Sequence, residues 1–150
     1  MRKFKYRLQG LENIKGMELD ALRQALATAQ EKLRRSEEEL INLRAALDTT
    51  YNELTELRIA QTDPLILISL ESYTGVLREQ IRAVAQRVTD QREALREAQQ
   101  HLAEKRKEKK VLEKYRERKL AEYNQYAEKE LQKELDETAG NIHQREHRMQ

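Results

Sequence analysis

Cysteine and tryptophan are absent from this sequence of 150 residues; proline and phenylalanine occur once each and glycine four times. Without cysteine there is no disulfide framework, and a reducing cytoplasm suits the chain. No glycine-rich loop is present to cradle a phosphate, and no nucleophile stands beside a base. The apolar run Leu65–Leu70 falls far short of the ~20 residues that cross a membrane. The basic opening MRKFKYRL is not followed by the apolar stretch of about 7–15 residues expected of a secretory signal. These absences predict a soluble cytoplasmic protein that is not an enzyme and binds no cofactor or metal.

What fills the chain instead is charge and good helix formers. Charged residues make up 37%, with 29 basic and 27 acidic side chains and a net charge of +2, so no strong overall field argues for nucleic acid or an anionic membrane. A mean hydropathy of −0.97 suits a thin apolar seam or a disordered chain. Periodicity decides between them. Leu19, Leu26, Leu33, Leu40, Leu47 and Leu54 recur every seven residues. Their companions are Leu22, Ala29, Ser36, Leu43, Thr50 and Leu57. Such a 3–4 alternation is a coiled-coil seam. Upstream, Leu8 and Leu11 are read as out of that register, with looser helix near Gly10 and Gly16.

A second seam runs through Leu67, Leu70, Leu77, Ile81, Val84, Val88, Leu95, Ala98 and Leu102, with Thr74 and Gln91 as polar interruptions. It fades at Lys105 and Lys109, and a more aromatic stripe follows: Leu112, Tyr115, Tyr123, Tyr126, Leu131 and Leu135. Between the seams stands Thr62–Asp63–Pro64. Proline costs a helix interior ~3 kcal/mol but is welcome in a first turn, and Asp63 is a good N-cap before it. The chain is therefore expected to be all-α, a long antiparallel two-helix coiled-coil hairpin in a single domain. Its first helix would span about 5–61 and its second about 64–139, with a turn at 62–63 and a frayed tail at 140–150 beyond a stop at Gly140–Asn141. Leu47 would lie near Leu77–Arg78, and Leu26 near Gln99–Gln100. At ~1.5 Å per residue a second helix to Ala139 is about 114 Å long against about 76 Å for the first from Leu11, so the later tyrosines overhang. A parallel dimer of continuous helices is the rival, and it would carry Pro64 mid-helix.

FKYRLQGL at 4–11, LESYTGVLREQI at 70–81 and EKYRERKLAEYNQYAEKELQKELDETA at 113–139 resemble the FliJ family, coiled-coil components of the flagellar type III export apparatus. The resemblance covers nearly the whole chain and implies a hairpin similar to the gamma-subunit stalk of rotary ATPases, monomeric when free. It implies insertion into the export ATPase hexamer, promoting its assembly and activity, with further contacts to the cytoplasmic domain of the export gate and to export chaperones. It thereby implies peripheral association with the inner membrane's cytoplasmic face, without insertion into it. The ring contacts it implies here are Phe4, Tyr6, Leu8, Leu11, Leu112, Tyr115, Tyr123, Tyr126, Leu131 and Leu135. Those for gate or chaperone are Leu47, Tyr51, Leu65, Ile66, Tyr73 and Leu77. Leu40, Arg44 and Leu47 depart from the family's polar and aromatic pattern in that region. The alternatives are the equivalent stalk of a virulence injectisome, and a generic coiled-coil scaffold or dimerisation module.

Three local features stay open at the level of sequence. Leu65–Ile66–Leu67–Ile68 either docks a partner or folds back to cap the hairpin. The stretch 104–119 holds nine basic and four acidic residues. It is read first as a solvated face paired by its own glutamates at i,i+4, with an acidic protein surface second and nucleic acid last. His143 and His147 share a helical face, but two imidazoles fall short of a structural zinc set.

Overall fold

The computed structural model describes residues 2–149; Gln150, assigned to the expected tail, lies outside them. The chain folds into two long helices, α1 (Gln9–Ile59) and α2 (Pro64–Arg148), which pack antiparallel. The hairpin is the expected architecture. It divides into two compact units, Asp20–Ala103 and the pair Met1–Leu19 with Glu104–Gln150.

In the Asp20–Ala103 unit the expected seam positions are the ones removed from solvent. Leu33, Leu40, Val84 and Val88 form the buried centre, with Leu43, Ile81, Ala85 and Leu95 packed around it. Burying each Leu or Val of that centre is worth about 1.5–3 kcal/mol. Arg87 donates to Glu39 at 2.9 Å and Arg92 to Glu37 at 3.0 Å, which fixes the antiparallel register from outside. The polar seam residues Thr50 and Thr74 return their hydroxyls to the carbonyls of Ala46 and Glu71. Gln91 does less well: its Oε1 is buried and accepts no hydrogen bond from the described residues.

The turn is built from three local signals. Gln61 adopts a left-handed φ of 51°. The amide of Thr62 donates to the carbonyl of Leu57 and that of Gln61 to Arg58, the double closure of a Schellman ending. Asp63 then caps α2, its Oδ1 accepting from the amide of Leu65 at 3.0 Å, and Pro64 occupies the first helical position, where its missing N–H costs nothing.

In the Met1–Leu19 and Glu104–Gln150 unit two helix boundaries and the seam register differ from expectation. Residues 2–8 are not helical, and α1 starts only at Gln9. The seam register does not slip: seven residues before Leu19 stands Glu12, which is buried at 9% exposure, while Leu11 is 43% exposed. Glu12 and Lys15 on α1, with Lys105 and Lys109 on α2, thus continue the heptads as partly or fully buried polar positions, and Leu8 falls into place behind them. At the other end α2 runs through Gly140 to Arg148. Gly140 keeps an ordinary negative φ, so it makes no left-handed cap. Its penalty of about 1 kcal/mol is too small to end a helix whose last turn carries Arg145, His147 and Arg148, favourably placed against the dipole.

Candidate functional site

The expected ring contacts fall together on the Met1–Leu19 and Glu104–Gln150 unit, and the structure sorts them into two groups. Phe4 and Tyr6 belong to a strap, residues 2–8, that lies along α2. The ring of Phe4 sits 5.5 Å from that of Tyr123, and Tyr6 sits 6.4 Å from Tyr115. The Tyr6 hydroxyl donates to the carbonyl of Leu112 at 3.1 Å, and the Tyr123 hydroxyl donates to the carbonyl of Arg2. Arg116 lies 5.9 Å from the Tyr6 ring centroid, and the Lys119 ammonium 5.6 Å from that of Tyr115. These rings are therefore occupied by one another. Leu8 and Leu112 are half-buried with them.

The electrostatics of this knot follow from its crowding. Burial pushes the Tyr6 hydroxyl above its ordinary value, the Glu12 carboxylate and Tyr115 push the same way, and the Arg116 guanidinium opposes them. Glu12 reaches Arg116 at 3.9 Å through Oε1, while its buried Oε2 has no hydrogen-bond partner among the described residues. The Lys119 ammonium is held above its usual range by its hydrogen bond to Glu122.

The second group is free of the strap. Tyr126, Leu131 and Leu135 are exposed along the next turns of α2, Tyr126 by 63%. Beyond Glu130 every described residue is exposed. A shallow groove lined by Arg2, Tyr123, Tyr126, Ala127 and Leu131 connects the strap to this bare face. The overhang expected from unequal helix lengths is thus real, but Tyr115 and Tyr123, expected on it, belong to the part covered by the strap. Sequence periodicity gave no hint of the strap, because its contacts span more than a hundred residues of chain.

The expected gate and chaperone contacts divide as well. Leu77 is 2% exposed and Leu47 half-buried. Both are seam residues that support the hairpin from inside, and Leu77 offers a partner no surface. This corrects the assignment of Leu77, whose heptad position alone would have placed it in the core. Tyr51 and Tyr73 are exposed, and Arg78 donates to the Tyr51 hydroxyl at 2.7 Å. At the tip Leu65 (71% exposed), Ile66 and Ile68 face solvent together with Ile59. They do not fold over the turn, because Pro64 and the Asp63 cap start α2 at once and carry these side chains outward.

No group of three or more metal-ligating side chains occurs among the described residues. The rings of His143 and His147 lie 5.1 Å apart on the exposed end of α2. Among the described residues no helix is long and apolar enough to cross a membrane.

Among solved structures the chain is similar to a protein described as a putative YscO homolog, CT670, from Chlamydia trachomatis. The identity is 23% and the TM-score 0.48, with 99% of this chain and 100% of that chain covered. No curated protein matches. The family model described as flagellar FliJ protein matches residues 4–148, which takes in the strap, both seams, the turn and the bare end of α2, and the chain belongs to that family.

Proposed function

We propose that this chain is a non-enzymatic cytoplasmic stalk of the flagellar type III export apparatus, monomeric when free. Its bare α2 face, Tyr126, Leu131 and Leu135, is the surface offered to the export ATPase ring. The strap residues Phe4 and Tyr6, with Tyr115 and Tyr123, shape and stiffen the edge of that surface. The exposed tip, Leu65 and Ile66, with Tyr51 and Tyr73 nearby, is the surface offered to the export gate and to export chaperones. Peripheral membrane association would follow from those partners. Stimulation of the ATPase would arise by binding the assembled ring better than its separate subunits.

The observation that carries this reading is the run of exposed apolar side chains on α2 past the strap. Tyrosine there supplies contact area at low entropic cost, as interface anchors do. The test mixes the purified chain with the export ATPase and follows ring assembly and ATP hydrolysis. Tyr126→Ala with Leu131→Ala should weaken the stimulating association by roughly tenfold or more while circular dichroism stays helical. Undiminished stimulation by that variant would refute the assignment.

A further inference from the structure

The near-neutral total hides a segregation of charge. Residues 1–19 and 104–119 carry fourteen basic and six acidic side chains, a net +8. The span 20–103 holds eleven basic against fourteen acidic, and 120–150 four against seven, each a net −3. The excess positive charge is therefore gathered at one part of the hairpin, in the unit that holds the strap.

The structure also shows which of those cations are already paired. The expected self-pairing of 104–119 holds only on the seam side. Glu108 takes Lys15 and Lys105, Glu113 takes Lys109, Glu12 takes Arg116 and Glu122 takes Lys119. Committed to those partners, these carboxylates leave the remaining cations of the segment without them. Lys107, Lys110, Lys114 and Arg118 are all exposed and make no ion pair among the described residues. At 3.6 residues per turn, the 3–4–4 spacing sets them in one stripe about 16 Å long. Exposed Val111 lies within it, and Glu104 and Glu117 flank it.

We propose that this stripe is a docking surface for an acidic α-helix of a partner protein, a contact separate from the tyrosine face described above. Carboxylates one turn apart on such a helix match the ladder of cations, and an apolar residue such as leucine meets Val111. The features that would suit other polyanions are missing. Single-stranded nucleic acid needs free aromatic platforms between the cations, and the one ring beside the stripe, Tyr115, is already engaged by Tyr6 and Lys119. An interfacial membrane helix needs several large apolar residues beneath its basic face, and here there is one valine. The flanking glutamates repel a continuous phosphate track but tolerate a partner whose charges are placed one by one.

The test uses the full chain and a labelled peptide of about 20 residues, long enough to be helical, with glutamates at i and i+4 and a central leucine. Fluorescence anisotropy should show binding that weakens with salt. Replacing Lys107, Lys110, Lys114 and Arg118 together by Gln, which keeps helix propensity, should weaken it by about tenfold or more. The same number of Gln substitutions at Lys129, Lys133, Arg145 and Arg148 should leave it within about twofold. Loss of peptide binding in the stripe variant alone supports the proposal. No binding by the unaltered chain, equal effects of the two variants, or tighter binding of oligodeoxythymidylate or phosphatidylserine vesicles than of the peptide would overturn it. ATPase stimulation is read on the same stripe variant, so failure here is distinguishable from failure of the tyrosine-face assignment.

Discussion

Phe4 and Tyr123 pack their rings 5.5 Å apart at a tilt of 48°, although nearly the whole hairpin separates them along the chain. With the Tyr6–Leu112 hydrogen bond, this contact fastens a segment that has no helical bonds of its own. Aromatic pairs of this kind contribute about 0.5–1.5 kcal/mol beyond their area. Phe4→Ala should therefore free the strap while leaving both helices intact. Trypsin cleavage after Lys5 and Arg7 should become roughly two- to tenfold faster, with unchanged helicity by circular dichroism. An unaltered cleavage rate would mean that the ring contact does not hold the strap.

Gln91 gives the opposite kind of prediction. Its buried Oε1 lacks a partner, and it faces a slack part of the seam bordered by Ala25, Ala29 and Ala94. A buried unsatisfied acceptor costs about 1–3 kcal/mol. Gln91→Leu removes that cost and fills the seam, so thermal unfolding should shift upward, by an amount corresponding to about 1–2 kcal/mol. A lower melting temperature would show that the Gln91 side chain is satisfied in solution and the unpartnered acceptor does not cost the fold.

How far the sequence reveals this molecule depends on the range of the interactions involved. The leucine heptads from Leu19 to Leu57 point correctly to the seam because one face of a helix is a local, periodic property. The Asp63–Pro64 turn is legible for the same reason. Leu11 and Glu12 show where hydrophobicity misleads: counting sevens back from Leu19 lands on Glu12, and geometry prevails over side-chain type. The strap is invisible to periodicity, since its rings are matched only after the hairpin closes. The self-pairing expected of 104–119 fails in part because seam-side lysines compete successfully for its glutamates.

The turn offers a paired test of local strain. Gln61 holds a left-handed φ that costs a non-glycine residue roughly 1 kcal/mol, and Asp63 caps the following helix. Gln61→Gly should stabilise the hairpin by up to about 1 kcal/mol. Asp63→Ala should destabilise it by about 1 kcal/mol. Urea unfolding of both variants measures the two signs, and identical signs would contradict this account of the turn.

Acid should act on named carboxylates. Hydrogen bonds from Arg34 first and then Arg35 pull the Glu31 carboxyl down to about 2, and the Lys15 ammonium holds Glu108 below its ordinary value of 4.5. Both folded values are depressed, so the stabilisation they contribute is complete above pH 4.5. It is lost as pH falls toward and through the folded values. The Lys15 partner is raised by its hydrogen bond to Glu108, so its share persists below 10.5 and is lost as pH rises through its folded value. Carboxyl carbon NMR titration should find Glu31 ionising near 2 and Glu108 below the ordinary range. Lys15→Gln should return Glu108 toward that range. Ordinary titration of Glu108 in the unaltered chain would show that the ion pair is not formed in solution.

Where Glu12, Lys15, Lys105 and Lys109 replace leucines, the helices of the strap-bearing unit are joined by exposed or poorly satisfied ion pairs. Surface pairs contribute about 0–1 kcal/mol each, whereas each buried Leu or Val of the 20–103 seam is worth about 1.5–3 kcal/mol. Opening should accordingly be easiest where the seam is charged. Native-state hydrogen exchange should find faster exchange in 9–19 and 104–119 than in 33–54 and 77–95, even though all are helical. Glu12→Leu tests the cause. It removes a buried carboxylate whose Oε2 has no partner and restores an apolar knob at a heptad position, while Arg116, itself about half exposed, keeps access to water. Relief of a buried, unsatisfied acceptor is worth about 1–3 kcal/mol, so exchange across 9–19 should slow several-fold. Unchanged exchange would mean that the polar seam is not what loosens this unit, and that its mobility is set by the strap instead.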